Sequence, residues 1–156
     1  MTASNQYEVV RETTIPASAA TIHGLIHDFR SWQAWSPWED LDPALHRTYS
    51  GPDAGVGAVY EWRGNRKAGQ GRMEITEDVP SQRVVVALDF IKPFKASNTT
   101  TFALEETAGG TRVTWSMVGT KTFTTKVMGV FKSMDAMIGP DFEKGLAGLT
   151  SAAAAS

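Results

Sequence analysis

MDAMIGPDFEKGLAGL, residues 134–149, is the stretch that decides the fold. Met137, Ile138, Phe142, Leu146 and Leu149 follow Met134 by 3, 4, 8, 12 and 15 residues, while Asp135, Glu143 and Lys144 fall elsewhere. That spacing puts the apolar set on one side of a 3.6-residue period and predicts a long amphipathic helix. Residues 7–120 read mostly as strands. The expected class is therefore α+β, a curved antiparallel sheet of about seven strands wrapped around the C-terminal helix. Pro140 removes a backbone donor and crowds the preceding turn, which predicts a kink near 136–139 or a break there. Gly145 and Gly148 lower intrinsic helix stability, so packing must hold this segment. The alanine run ahead of Ser156 is expected to fray.

Upstream, residues 7–15 carry Val9, Val10, Thr13, Thr14 and Ile15, a β-branched run stopped by Pro16, and read as strand one. Ser18 is placed to cap a helix over 19–29 whose apolar residues are Ile22, Leu25, Ile26 and Phe29. Trp32, Trp35 and Trp38 then recur every third residue, with Pro37 ending any helical turn at Ser36 or sooner. Two short helices are thus expected after strand one. The indoles either plug the end of the core or line a binding cavity.

From Leu45 the period becomes two. Residues 45–50 form a weak strand; Ala58, Tyr60 and Trp62 alternate with Val59, Glu61 and Arg63, and 64–69 turn the chain. Met73 and Ile75 mark the next strand, followed by a turn at Asp78, Val79 and Pro80. Val84, Val86, Leu88 and Phe90 run to Pro93. Asn98, Thr100, Phe102 and Leu104 come next, and Gly109-Gly110 leads into Val113, Trp115 and Met117. One face is apolar and the other charged or hydroxylic, the pattern of a sheet with one wet face. Phe123, Val127, Val130 and Phe131 predict a further helical stretch before the last helix.

Composition narrows the function. The 156 residues match one domain, expected to span 1–156, and the formal net charge of -2 argues against a nucleic-acid partner that needs a basic face. With no cysteine, thiolate catalysis, disulfides and Cys-ligated zinc are excluded. No signal peptide is visible at the N-terminus, and the longest apolar run, 84–88, is far too short for a membrane span, so a soluble cytoplasmic protein is expected.

No catalytic constellation is readable. His23 and His27 are four apart, as metal-binding pairs on a helix are, but lie off the apolar stripe and lack a His-Glu-x-x-His glutamate. They read as a solvated face, so neither a metal nor a cofactor is expected. His46 has no readable partner. Gly55-x-Gly57 and Gly69-x-Gly71 lead into strands, whereas a phosphate loop must open a helix. Glu39-Asp40 and Glu105-Glu106 read as surface charge beside turns, and Arg63, Arg66 and Lys67 as a solvated hairpin tip. The informative residues are apolar: Trp35, Tyr60, Trp62, Met73, Phe90, Phe102, Trp115 and Met117 on the sheet, facing Met134, Met137, Ile138 and Phe142 on the helix. Asn98, Thr100 and Tyr60 are polar handles in phase with that face. A sheet bent around one helix leaves room for a mostly apolar pocket with a few placed polar groups.

The order of elements, together with Ile15-Pro16-Ala17, Asp28-Phe29-Arg30, Ser36-Pro37-Trp38, Gly69-Gln70-Gly71, the 111–115 strand TRVTW and DFEKGL at 141–146, resembles the START-like SRPBCC superfamily in its polyketide cyclase/dehydrase branch. The resemblance covers nearly the whole chain. It implies the helix-grip fold and a cavity for a small hydrophobic molecule such as a lipid or polyketide-like compound. It also implies the alternative of a cyclase, aromatase or dehydratase using that cavity; in such an enzyme Tyr60, a polar handle on the apolar face, is the residue expected to donate to a developing enolate. The matching positions are mainly glycine, proline and aromatic residues, which carry over no catalytic role and point to no single ligand or oligomeric state.

Overall fold

The computed structural model describes residues 6–40, 42–66, 68–92, 96–120 and 134–155. Strand β1 (Gln6–Ile15) ends at Pro16, and the Ser18 side chain accepts from the Thr21 N–H to cap helix α1 (Ala19–Ile26). This helix stops short of Phe29, contrary to the sequence expectation. Phe29 instead opens a 3-10 turn (Phe29–Ala34), capped by the Asp28 carboxylate, which accepts from the Arg30 N–H. A second 3-10 turn (Pro37–Asp40) has proline first, where a missing N–H loses no helical bond.

The chain then meanders through β2 (His46–Ser50), β3 (Val59–Arg63), β4 (Gln70–Val79), β5 (Arg83–Lys92), β6 (Ala96–Thr107) and β7 (Gly110–Thr120). Strand β1 pairs with β7 in register Gln6↔Thr120 to Ile15↔Thr111, giving one antiparallel sheet of seven strands in the order β1-β7-β6-β5-β4-β3-β2. Its covered face carries Val9, Ile75, Val84, Val86, Phe102, Val113 and Trp115, each almost wholly buried. A bulge interrupts β4: Ile75 faces Val86 but Glu77 faces Val85, leaving Thr76 without a counterpart. Asp78, read from sequence as a turn residue, is therefore in the strand opposite buried Val84 and shares its face.

Helix α2 (Met134–Ala154) closes the fold. It runs through Pro140 without the expected break, the proline lying on its exposed side. Nor does the alanine tail fray, because the helix continues to Ala154 and Ala153 is buried against the core. The helix packs mainly on β1, with further contacts to α1 and both 3-10 turns, so the β3–β5 side of the sheet stays uncovered by it. Residues 121–133, with Phe123, Val127, Val130 and Phe131, lie outside the described residues, as do Lys67 and the side chains of Met134 and Met137. Among the described residues no helix is long and apolar enough to cross a membrane.

The three tryptophans after α1 join these layers. Trp32 Nε1 donates to the Ile26 carbonyl at 2.7 Å and Trp35 Nε1 to the Leu25 carbonyl at 2.8 Å, partnering carbonyls at the end of α1 that have no onward helix to bond. Trp35 then meets Phe102 and Trp115 edge-on, with ring centroids 5.9 and 5.6 Å apart. Above it, a Cβ on Gly148 would stand 2.5 Å from the Trp35 carbonyl oxygen, and one on Gly145 2.5 Å from Trp115 Cζ3. The two glycines that weaken α2 as an isolated helix are what allow it to sit on the indoles.

This packing reverses the usual sign of a helix-favouring substitution. Gly148→Ala is expected to lose about 1–3 kcal/mol through overpacking. Gly24→Ala in α1, where a Cβ meets nothing within 4 Å, is expected to gain about 0.4–1 kcal/mol. Urea unfolding of the two variants checks this; a stabilised Gly148→Ala protein would contradict the close approach.

Candidate functional site

Where α2 leaves the sheet uncovered, a cavity of about 210 Å³ opens between β3–β7, the two 3-10 turns and the first half of α2. Its sheet wall consists of Tyr60 and Trp62 from β3, Met73 from β4, Leu88, Phe90 and Lys92 from β5, Thr100 from β6, and Trp115 and Met117 from β7. Trp32, Ser36, Trp38 and Glu39 enter from the turns, Ala68 from the β3–β4 hairpin, and Ile138 and Asp141 from α2. The wall is predominantly aromatic. Trp62 lies over Gly71, its cross-strand partner, where any Cβ would collide with the indole, and its Nε1 donates to the Ala68 carbonyl at 2.8 Å. Phe90 meets Trp62 edge-on at 6.0 Å, and Trp115 stacks on Phe142 at 4.2 Å with the rings 10° apart.

Of the residues singled out by sequence, Tyr60, Trp62, Met73, Phe90, Thr100, Trp115, Met117 and Ile138 reach this cavity. Trp35, Phe102 and Phe142 do not; they are buried behind it and support the lining rings. Asn98 is also outside the lining: its Oδ1 accepts from Thr100 Oγ1 at 3.2 Å, while its Nδ2 is buried with no hydrogen-bond partner among the described residues. Tyr7 ionises above its ordinary range because it is buried. Met134 and Met137 contribute backbone to α2, and their side chains lie outside the described residues. Trp32 and Trp38, for which sequence left core plug and cavity wall both open, also line it, and sequence reasoning overlooked Ser36, Glu39, Ala68, Leu88, Lys92 and Asp141. Leu88 was in phase with Phe90 and Trp38 in step with Trp35, so both carried a readable signal.

Glu39 carried none, and its surface assignment is wrong. Its residue is only 7% exposed. Oε2 accepts from the Tyr60 hydroxyl at 2.6 Å and Oε1 from Arg47 Nε at 2.7 Å, while Arg47 Nη2 also donates to the Glu39 backbone carbonyl at 3.0 Å. A buried carboxylate persists only with such partners, and here β2 and β3 supply one each. Burial first, and the adjacent Glu39 carboxylate second, push the Tyr60 hydroxyl far above its ordinary pKa, so it remains a neutral phenol. Tyr49, its cross-strand partner, stacks on it at 5.2 Å. Tyr60 thus spends its proton on Glu39 and presents only lone pairs to the cavity, which removes it as a ready donor to an enolate. The other acidic pair is exposed at Glu105, near Arg112 at 3.4 Å, and Glu106 accepts from the Ala19 N–H at 3.3 Å.

The His23/His27 face is not solvated either. His23 is 8% exposed, and Asp78 accepts from both rings, at 2.5 Å from His23 Nε2 and 3.3 Å from His27 Nδ1. This cluster lies outside the cavity lining. His46 is exposed.

A seven-stranded antiparallel sheet gripping a long C-terminal helix, with a cavity between them, defines an α+β protein of helix-grip architecture. The chain belongs to the polyketide cyclase/dehydrase and lipid transport family, whose model matches residues 6–154. Similar solved structures include protein Mll3558 from Rhizobium loti, 21% identical with a TM-score of 0.67, covering 94% of this chain and 96% of that one. Protein CV1439 from Chromobacterium violaceum is 15% identical with a TM-score of 0.64, at 94% and 96% coverage. The di-domain ARO/CYC StfQ from the steffimycin biosynthetic pathway is 10% identical with a TM-score of 0.68, covering 99% of this chain and 51% of StfQ. At these identities the likeness is one of fold. No curated protein matches the sequence.

The Tyr60–Glu39 bond makes an alkaline prediction. A raised folded-state pKa contributes stability that is complete below the ordinary tyrosine value and is lost as pH rises past about 10. Tyr60→Phe is expected to cost about 1–3 kcal/mol at neutral pH by leaving Glu39 one partner short, and to flatten the alkaline loss of stability. Urea unfolding at neutral and alkaline pH, with phenolate absorbance followed alongside, checks both; an unchanged alkaline slope would contradict the assignment.

Proposed function

We propose that the protein binds a compact hydrophobic molecule, aromatic and hydroxylated in the manner of a small polyketide product, in the cavity between sheet and α2. The observation that carries this reading is the wall itself: aromatic rings around a space of about 210 Å³, with acidic and hydroxyl oxygens at a few fixed points. An apolar cavity of roughly 150 Å³ suffices for benzene, so this one has room for one ring or a compact pair. The polar groups at the wall set the ligand's chemistry. Glu39, Asp141 and the proton-donating Tyr60 all offer acceptor oxygens, which favours a ligand bearing hydroxyl donors over a bare hydrocarbon. Lys92, exposed on β5, is a cation at the lining for an acidic substituent.

Buried Glu39 supports a second reading, in which the same cavity folds a poly-ketone and the carboxylate serves as general base in a cyclisation or dehydration. Under that reading Glu39→Gln retains ligand binding and loses turnover. Under the binding reading there is no turnover to lose.

Titrating tryptophan fluorescence with naphthol, naphthalene and palmitate distinguishes the ligand classes. Naphthol is expected to bind about three- to tenfold more tightly than naphthalene, the worth of one hydrogen bond, and palmitate most weakly. Ala68→Trp, a half-buried hairpin position at the lining, is expected to weaken naphthol at least about tenfold with little change in stability. Absence of any quenching by all three probes would overturn the proposal.

A further inference from the structure

The cluster under α1 has a chemistry that the cavity does not use. His23 stands in the last turn of α1 and His27 at its C-cap, one helical turn on, with ring centroids 4.3 Å apart. Their ligand nitrogens and a carboxylate oxygen of Asp78 all lie within 4.8 Å of one another. The bulge at Thr76 brings Asp78 there. Regular alternation from Met73 and Ile75 would send Asp78 to the wet face, and the extra residue returns it to the face that α1 covers. The loop between β2 and β3 holds the other side: Gly55 N–H donates to the His27 carbonyl at 3.0 Å, and a Cβ on Gly55 would lie 3.1 Å from Asp78 Oδ2.

We propose that His23, His27 and Asp78 form a binding site for a divalent transition metal of the zinc and cobalt class. Two imidazoles and one carboxylate are a borderline-soft donor set suited to these ions, and three protein ligands leave a fourth position open. Tetrahedral ligands bound at 2.0–2.2 Å stand about 3.3 Å apart. His27 Nδ1 and Asp78 Oδ2 already have that spacing, at 3.3 Å. The His23 contact, at 2.5 Å, is with the other carboxylate oxygen, Oδ1, and opens by less than about 1 Å for an ion that the two oxygens share. The site is reachable, since the His27 side chain is 30% exposed while His23 and Asp78 are 10% and 12%. It shares no residue with the lining of the cavity, so metal and apolar ligand bind independently.

The test is titration of untagged protein with cobalt(II) chloride, followed by visible absorbance, and with zinc chloride by calorimetry. The expected result is one ion per chain with the intense bands of tetrahedral cobalt, bleached by zinc. His27→Ala, at the most exposed of the three ligands, and Asp78→Asn are each expected to weaken binding at least about 100-fold with circular dichroism unchanged. His46→Ala, on exposed β2, is expected to leave it unaltered. Failure of the unmodified protein to bind one equivalent would overturn the proposal, leaving the cluster a hydrogen-bonded clasp between α1 and β4. So would binding that survives His27→Ala and Asp78→Asn. Naphthol binding, measured in the same variants, is expected to stay as in the parent, so failure of the metal site and failure of the cavity reading are told apart.

Discussion

Two indole N–H groups carry the constraint on which the rest of this structure depends. Helix α1 ends after two turns, and the carbonyls of Leu25 and Ile26 have no helix ahead of them. Leaving such groups buried and unpaired costs on the order of 1–3 kcal/mol each. Trp35 and Trp32 supply the donors, and in doing so their rings are fixed between α1 and the sheet. From that anchoring follow the edge-on contacts to Phe102 and Trp115, the stack of Trp115 on Phe142, and the bed on which Gly145 and Gly148 seat α2. A helix held there lies along β1 and leaves the other half of the sheet's inner face open. The cavity is the consequence: rings braced from behind form a wall that does not collapse into the space beside it.

Much of the fold was legible because periodicity is a one-dimensional record of burial. The apolar stripe of α2, the alternation in β5 and β6 and the Ser18 cap all kept their sequence phase in the structure. Every misreading involved an effect that spacing does not encode. Pro140 is accommodated because it faces solvent, and the tail stays helical because Ala153 finds a place in the core. Asp78 was misread because a single bulged residue reverses the alternation after it. Glu39 and His23 were misread because their partners, Arg47 with Tyr60 and Asp78, come from other strands, and a charged residue beside a turn looks solvated until those partners are known.

The candidate site was legible to a corresponding degree. Strand positions facing inward were identified from phase, and most of them reach the cavity. Phase could not separate a residue that lines a space from one that braces it, which is why Trp35, Phe102 and Phe142 fall behind the wall. Nor could it indicate that Tyr60 gives its proton to Glu39, the detail that turns this wall from donor to acceptor. Family membership accords with the cavity but leaves its chemistry to be argued from these residues.

Native mass spectrometry of the purified protein, set beside the mass of the denatured chain, tests the central claim most directly. The account predicts an added mass that extracts into organic solvent and has the ultraviolet absorbance of a hydroxylated aromatic compound. An extracted long-chain lipid would contradict the size and chemistry assigned to the cavity, and a bare chain that gains no mass when saturated with naphthol would contradict the cavity as a binding site.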